Sequence, residues 1–448
     1  MLFSSLRRDQ REAVGLLQIG TFLEYFDLML YVHMAVLLND LFFPQTDPHT
    51  ASLISAFAFC STYVLRPFGS LLFGWLGDHI GRKTTVIITT MMMAISCLIM
   101  ANLPTYSQIG ISAAWIVTIC RILQGLSSMG EIVGAQIYLT EITKPPESYP
   151  IVALLAVSLS FGCFFALGIA TLVTTSGFNW RLAFWVGACI ALVGSIARTR
   201  LRETPDFVDM KRRMQKAIEE SSRDGLGKAA ELLKSTNALF REKVDKKTLL
   251  SFFCIDCASP VFFYFTYIYC GSLLKTLFEY APEAIIRQNM FVGLVDLLMC
   301  CVWVVFLIYK PQPLKILKIE FVAIFPFILL CPYILSVIET PFQLFLVQSF
   351  CTCFCLGHMA SMAVFVRNFP VFRRFTFLSL SFACSRALVY LITSFGMVYL
   401  IEIFGYKGFW IFMIPAAIGF YWGIHCFEKL EEVTKHDNPE TALHRKTS

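Results

Sequence analysis

The chain has 448 residues, of which 57% are hydrophobic and 15% charged, with 43 Phe, a net charge of +6 and a mean hydropathy of +0.66. A soluble protein this apolar would expose more hydrophobic surface than water tolerates, which excludes a soluble globular fold. Apolar runs long enough to cross a bilayer core of about 30 Å recur along the chain, so the composition predicts an all-α, polytopic membrane protein.

Twelve membrane-spanning helices are predicted in chain order. They lie near 14–38, 51–77, 84–102, 110–139, 150–174, 179–200, 248–276, 285–309, 316–337, 341–366, 376–400 and 405–427. A polar, charge-rich stretch separates the sixth span from the seventh. The predicted organisation is an N-terminal six-helix bundle over 1–200, a cytoplasmic middle loop over 201–247, a C-terminal six-helix bundle over 248–427 and a short cytoplasmic tail over 428–448.

The placement of lysine and arginine predicts the orientation of these spans. The outer loops hold only Arg181, Arg287 and Lys407, whereas the N-terminus, the middle loop and the tail carry most of the other basic residues. Basic loops favour the cytoplasmic side of a membrane. We therefore expect a multi-pass protein of the cell (inner) membrane with both termini in the cytoplasm.

Span one carries two acids, Glu24 and Asp27, within an apolar segment. An ionisable group in the bilayer core costs a few kcal/mol, so each of them requires a partner or a task. Residues three apart lie on one helix face, where burial and mutual repulsion disfavour ionisation of both carboxylates. This arrangement predicts a group that exchanges a proton near neutral pH, and the alternative is simple neutralisation of Arg66 and Arg121.

Span two and the loop after it carry the most informative stretch of the sequence. Positions 66–83 read R-P-F-G-S-L-L-F-G-W-L-G-D-H-I-G-R-K. This stretch resembles the loop signature of the major facilitator superfamily, and its opening at residues 66–69 narrows the resemblance to the metabolite:proton symporter family. The likeness is strong over about residues 15–207, moderate over 360–427 and weak between them. The resemblance assigns the loop motif to Gly74, Asp78, Gly81, Arg82 and Lys83.

The resemblance implies an architecture and a role for this loop. Twelve helices would form two pseudosymmetric six-helix bundles that rock about a site near the membrane midplane. Asp78 would cap a neighbouring helix, since carboxylates stabilise helix N-termini. Arg82 would pair with Glu141 at the end of span four. The loop motif is thus predicted to gate the protein without binding its substrate.

Span four contains a second motif of the same superfamily. Arg121 opens an Arg-x-x-Gln-Gly sequence, and by resemblance it would lie beside the translocation path and modulate a nearby acid. Glu131 follows ten residues later, nearly three turns on, and so occupies a similar face of the helix. The alternative for Arg121 is a buried structural ion pair.

The second half departs from the superfamily pattern at two places. The loop between spans eight and nine, over 309–314, lacks the motif that the superfamily usually repeats there. Arg386 lies in the middle of span eleven, where a small or neutral residue is expected. It is predicted to pair with Asp256 or Asp296, or to contact an anionic substrate.

The 16 cysteines lie mostly within apolar runs and are expected to be small buried hydrophobes. Cys351, Cys355 and His358 share a possible helix face, but small residues are ordinary at helix contacts in membranes. We therefore predict no metal, no cofactor and no nucleic-acid partner. An enzyme is disfavoured because no nucleophile–base pair stands out.

The predicted function is secondary active transport, in which a small zwitterionic or carboxylated solute, proline/betaine-like or an organic acid, enters with protons by alternating access. The partners are then the solute, protons and the lipid bilayer, and the protein functions as a monomer. The alternatives are a non-transporting membrane sensor with the same fold and a proton-independent facilitator or exchanger. The proton-coupling set is Glu24, Asp27 and Glu131, and the arginines assigned to substrate or coupling are Arg66, Arg121 and Arg386.

Overall fold

The computed structural model describes residues 6–44, 48–79, 82–128, 132–175, 179–199, 244–370 and 373–437. Within these ranges the regular secondary structure is entirely helical, and the helices form twelve spans. The predicted fold class, twelve transmembrane helices in two six-helix bundles, is confirmed. Residues 201–243 of the middle loop predicted over 201–247, and residues 438–448 of the predicted tail, lie outside the described residues.

The first six spans follow the predicted order. Their bounds are Arg8–Phe42 for span one, Pro48–Val64 with Arg66–His79 for span two, Arg82–Asn102 for span three, Ile111–Ser127 with Ile132–Ile142 for span four, Ser148–Thr175 for span five and Arg181–Thr199 for span six. Local sequence sets several of these ends. Span four begins after Gly110, whose φ of +62° suits a residue without a Cβ.

The last six spans contain the strongest irregularities. Their bounds are Lys246–Phe263, Tyr264–Tyr269 and Cys270–Leu277 for span seven, Pro282–Tyr309 for span eight, Pro313–Ser336 for span nine, Pro341–Cys353, Met359–Ser361 and Met362–Arg367 for span ten, Arg374–Phe404 for span eleven and Trp410–Asp437 for span twelve. Spans eight, nine and ten each begin with a proline, which lacks the N–H that the first helical turn would leave unpaired.

Two of these spans are interrupted in the middle of the membrane. Span seven changes to a π-helical turn at Tyr264–Tyr269, just after Pro260, which cannot donate a backbone hydrogen bond. Span ten is unwound between Cys353 and Met359, where Leu356 has a φ of +53°. Irregular backbone at this depth is tolerated where it is buried in protein or lines a cavity.

Close contacts between helices hold the N-terminal bundle together. A Cβ placed on Gly125 of span four would collide with the carbonyl oxygen of Thr62 on span two, and one on Gly162 of span five would collide with that of Phe22 on span one. Small residues at such crossings let two helix backbones approach closely. Van der Waals packing then stabilises the helix pair, because in lipid no hydrophobic effect drives helices together.

The two bundles meet along two pairs of spans. Span five packs against span eight, and span two packs against span eleven. Counting six helices per bundle, spans two and eight occupy corresponding positions, and so do spans five and eleven. The two contacts are therefore equivalent under the pseudosymmetry, and they enclose a space between the bundles.

Candidate functional site between the two bundles

A cavity of about 210 Å³ lies between the bundles. Spans one, two and five line it on one side, and spans seven to eleven line it on the other. Pockets for drug-sized ligands usually measure about 300–1,000 Å³, so this cavity suits a smaller solute.

Two arginines, one from each bundle, face this cavity. The Arg66 guanidinium lies 4.2 Å from the centre of the Tyr63 ring, and its Nε and Nη2 atoms have no hydrogen-bond partner among the residues that the structure describes. Arg386 lies with its guanidinium carbon 3.7 Å from the centre of the Phe382 ring. Both side chains are more than nine-tenths buried. The buried donors of Arg66 form a site for an anion such as a carboxylate.

Two acids also line the cavity, both from the C-terminal bundle. Asp296 of span eight accepts a hydrogen bond from Ser160 of span five, across the bundle interface. Glu320 of span nine accepts one from the backbone N–H of Gly357, in the unwound part of span ten. Glu320 thus satisfies a backbone donor that the break in the helix leaves free. From the sequence, Asp296 was predicted only as a possible partner of Arg386, and Glu320 was not predicted as a site residue.

Aromatic rings form much of the remaining wall. Tyr63 and Tyr390 approach to 4.2 Å between ring centroids, and His33 and Tyr267 to 5.4 Å, so that each pair joins the two bundles. The other aromatic lining residues are Tyr25, Phe262, Phe263 and Trp303. The faces of such rings attract cations, including quaternary ammonium groups.

The two acids predicted to exchange protons are buried but stand apart from the cavity wall. Glu24 is 5% exposed and Asp27 is 2% exposed. Span one presents Tyr25, Leu28 and Met29 to the cavity instead. Asp27 faces span six, where its Oδ1 lies 2.8 Å from the position of a Cβ built on Gly187.

Arg121 is also packed inside the N-terminal bundle rather than on the cavity wall. It is 1% exposed, its guanidinium carbon lies 4.2 Å from the centre of the Tyr31 ring, and it donates a 3.0 Å hydrogen bond to Gln124 Oε1. Of the three predicted arginines, the structure therefore brings Arg66 and Arg386 together at one cavity and separates Arg121 from it.

The predicted gate is described only in part. Gly81 and Glu131 lie outside the described residues, as do the side chains of Asp78, Arg82 and Lys83. Gly74 packs towards Phe375 of span eleven.

Glu141, the predicted partner of Arg82, forms an ion pair with Arg374 of span eleven at 3.1 Å. This contact joins the two bundles at their predicted cytoplasmic end. Nearby, Arg367 Nη2 donates to Ser148 Oγ at 2.8 Å. We call the Glu141–Arg374 and Arg367–Ser148 contacts the cytoplasmic latch. It ties spans four and five to spans ten and eleven.

A membrane protein with two six-helix bundles around a central cavity has the architecture of a rocking transporter. Residues 17–347 match the Major Facilitator Superfamily, and the chain belongs to that family, whose members are transporters rather than enzymes.

Named relatives share this class. The chain is 29% identical over 286 residues to the Proline/betaine transporter of Salmonella typhimurium, a match that covers 61% of this chain and 54% of that protein. It is 31% identical over 286 residues to the Glycine betaine/proline/ectoine/pipecolic acid transporter OusA of Dickeya dadantii, with the same coverage of both chains. The matched region thus spans about half the length of these relatives.

Solved structures show the same fold. The proton:xylose symporter XylE bound to 6-bromo-6-deoxy-D-glucose superimposes with a TM-score of 0.72 and 16% sequence identity, covering 92% of this chain and 94% of that one. The human organic anion transporter MFSD10 gives a TM-score of 0.67 at 15% identity, covering 93% and 100%.

Proposed function

We propose that this protein is a proton-coupled symporter for a small zwitterionic or carboxylated solute, which it carries by alternating access. The observation that carries the proposal is the cavity between the bundles, where buried arginines from both bundles lie among acids and aromatic rings. A solute that binds both arginines contacts both bundles at once, so its binding can be linked to their relative movement.

The chemistry of the wall favours a zwitterion. A solute carboxylate would accept hydrogen bonds from Arg66 and Arg386, because charged bidentate contacts are the strongest available there. A cationic nitrogen would be stabilised by the aromatic faces and by Asp296 and Glu320. The matched relatives include transporters of proline and glycine betaine, which supports the same class of solute.

Proton coupling is the second part of the proposal. Moving one positive charge down a potential of 100 mV supplies about 2.3 kcal/mol, enough to concentrate a solute. The candidates to carry the proton are Glu24 and Asp27, which are buried on span one, together with Glu131, the acid that the sequence assigns to span four. Arg121 is proposed to act on this coupling through the packing of the N-terminal bundle, without touching the solute.

Alternating access would use the cytoplasmic latch. With the latch closed, the Glu141–Arg374 pair holds the ends of spans four and eleven together. Rocking of the bundles would break this pair and open the cavity towards the side that the basic residues assign to the cytoplasm. The loop residues from Gly74 to Lys83 would guide the same movement.

A proton-independent exchanger is the second candidate, favoured by the position of Asp27 against span six rather than on the cavity wall. The two functions differ in one observable. A symporter accumulates solute above its external concentration when a proton gradient is imposed, whereas an exchanger only equilibrates it.

Uptake into proteoliposomes tests the proposal. Radiolabelled glycine betaine, proline and a set of organic acids are offered with and without an inwardly directed pH step. We expect at least one solute to accumulate with the pH step, and we expect the variants Glu24→Gln and Asp27→Asn to equilibrate it without accumulation. Glu12→Gln, at an exposed acid near the start of span one, is the matched control. Full accumulation in both variants would remove the proton role of span one, and no uptake of any solute would refute the transport class.

A further inference from the structure

The C-terminal bundle contains a buried ionic cluster whose acid and histidine have no role in the function proposed above. Asp256 of span seven, His358 of span ten and Arg386 of span eleven meet there. Asp256 Oδ1 lies 3.4 Å from His358 Nε2 and 3.6 Å from Arg386 Nη1. Asp256 is fully buried and His358 is 1% exposed. We call these three residues the Asp256 cluster.

The contacts within the cluster are close but poorly satisfied. Within the described residues the ring nitrogens of His358 have no hydrogen-bond partner, and the carboxylate oxygens of Asp256 have only the Ser381 hydroxyl nearby, without a well-formed hydrogen bond. Arg386 Nη1 instead donates to the backbone oxygen of Asp256 and to Ser385 Oγ, both at 3.3 Å. Buried polar atoms left without partners are costly, and each requires an explanation in terms of function or a missing ligand.

The cluster is arranged in two layers relative to the cavity. Arg386 and His358 line the cavity, whereas Asp256 lies behind them in the bundle. His358 reaches this position because span ten is unwound just before it, with Leu356 in the left-handed region. Arg386 is therefore within reach of a ligand in the cavity while it also lies against Asp256.

Other charged and titratable groups also act on the cluster. A second guanidinium, that of Arg66, lies close enough to Arg386 to repel it, which favours an added anion between the two. The remaining groups that interact with Arg386 or Asp256 are Tyr25 of span one, Tyr63 of span two, Cys257 of span seven and Tyr390 of span eleven.

We propose that Asp256 is an internal counter-ion of Arg386, that the solute carboxylate displaces it, and that the displaced Asp256 holds the coupling proton while the solute is bound, with Glu24 and Asp27 elsewhere on the path of that same proton. This inference rests on the proposed function, since it needs a solute with a carboxylate. Before binding, Arg386 and Asp256 neutralise each other. After binding, the solute carboxylate neutralises Arg386, and a proton bound to one oxygen of Asp256 offsets the negative charge that the carboxylate brings.

His358 provides the route for that proton. One ring nitrogen faces Asp256 Oδ1, and the side chain borders the cavity, so a neutral imidazole can accept a proton on one nitrogen and release another from the second. When the solute is released on the opposite side of the membrane, Asp256 releases its proton and pairs with Arg386 again. One solute and one proton then move together because each of them binds one member of the Arg386–Asp256 pair and so favours the binding of the other.

The test measures binding and proton uptake on detergent-purified protein. The probe is radiolabelled glycine betaine, or whichever carboxylated solute of the panel binds, and protons are followed with a pH indicator in weak buffer. We expect wild-type protein to take up about one proton for each solute bound. Asp256→Asn should bind the solute roughly tenfold more tightly, since its internal competitor is gone, and take up none.

Two further variants keep the test decisive. His358→Gln should take up the proton more slowly with the solute affinity retained, and Arg386→Gln should not bind. A merely structural Asp256 would give weaker binding in Asp256→Asn with proton uptake unchanged, which overturns the inference. Absence of proton uptake by the wild-type protein on solute binding also overturns it, even if Asp256→Asn fails to fold. If no carboxylated solute binds wild-type protein, the proposed function fails and the inference with it.

Discussion

The two bundles use their buried charges differently. In the N-terminal bundle, Asp27 and Arg121 point into the packing between helices and stand away from the cavity. In the C-terminal bundle, Arg386, Asp296 and Glu320 face the cavity directly. Arg66 is the exception, because it belongs to the N-terminal bundle and yet lines the cavity between the bundles. A buried charge in a membrane helix thus marks an important position, but its neighbours decide whether it meets a solute.

The largest expected effect is a difference in solute binding between variants of Arg66 and Arg121, the two buried arginines of the N-terminal bundle. Arg66→Gln should weaken solute binding by about 100-fold or more, because two charged hydrogen bonds of about 1.5–3 kcal/mol each are lost. Arg121→Gln should leave binding within about threefold and reduce accumulation instead. Equilibrium binding of the radiolabelled solute measures both, and equal losses in the two variants would break the comparison.

A second prediction tests whether Asp296 binds the cationic nitrogen of the solute and not its carboxylate. Asp296→Asn should weaken binding of a betaine about tenfold, which corresponds to about 1.4 kcal/mol, because a buried charge then lacks its partner. Binding of a simple monocarboxylate should be unchanged, since it has no cationic nitrogen. Competition assays with the two ligands provide the measurement. An equal loss for both would show that Asp296 acts on the fold of the cavity and not on the solute.

A third prediction concerns the cytoplasmic latch. Glu141→Gln removes a nine-tenths-buried partner of Arg374 and should shift the protein towards opening on that side. Labelling of Cys353 and Cys355, which line the cavity, by a charged thiol reagent added from that side should rise several-fold.

Mass spectrometry identifies the labelled thiols. The matched control is Glu12→Gln, which breaks only an exposed ion pair with Arg8 and should change nothing. Unchanged labelling in Glu141→Gln would mean that the latch does not hold the bundles closed.

The smallest effect is expected for an acid outside the bundles. Asp245 caps span seven, and hydrogen bonds from the Thr248 side chain and backbone N–H hold the pKa of its carboxyl below the usual value. Asp245→Ala should cost about 1 kcal/mol at neutral pH. Because the folded-state pKa is lowered, this stabilisation is present above the unfolded-state pKa and is lost as the pH falls through the folded-state value. Thermal melts of both proteins at pH 7 and in acid check it, and a difference that grows in acid would contradict it.

Much of the fold could be predicted from the sequence, because apolar runs and basic loops follow directly from the physics of the bilayer. Twelve spans were expected, and the part of the chain that the structure describes contains twelve. The site was harder to predict. A three-residue spacing places Glu24 and Asp27 on related faces of a helix, but it does not say which neighbour that face meets. Here the neighbour of Asp27 is span six.

Glu320 and His358, in the C-terminal half of the site, could not be predicted as cavity residues from the sequence, for two physical reasons. Single acids such as Glu320 in an apolar span carry no motif, and only their cost in the membrane singles them out. The break in span ten has no proline or glycine pair at its start, yet it brings His358 to the cavity and to Asp256. From the sequence, His358 was considered only as a possible metal ligand. The pairing of Arg386 with Asp256 was one of the predicted alternatives, and the structure contains it.

The most direct test of the central claim is proton flux driven by the solute alone. Proteoliposomes containing an entrapped pH dye, with no imposed pH gradient, are given an inward gradient of the transported solute. Our account predicts that the lumen acidifies in step with solute entry and that a protonophore abolishes the acidification. Solute entry at the same rate with no change in luminal pH would contradict it.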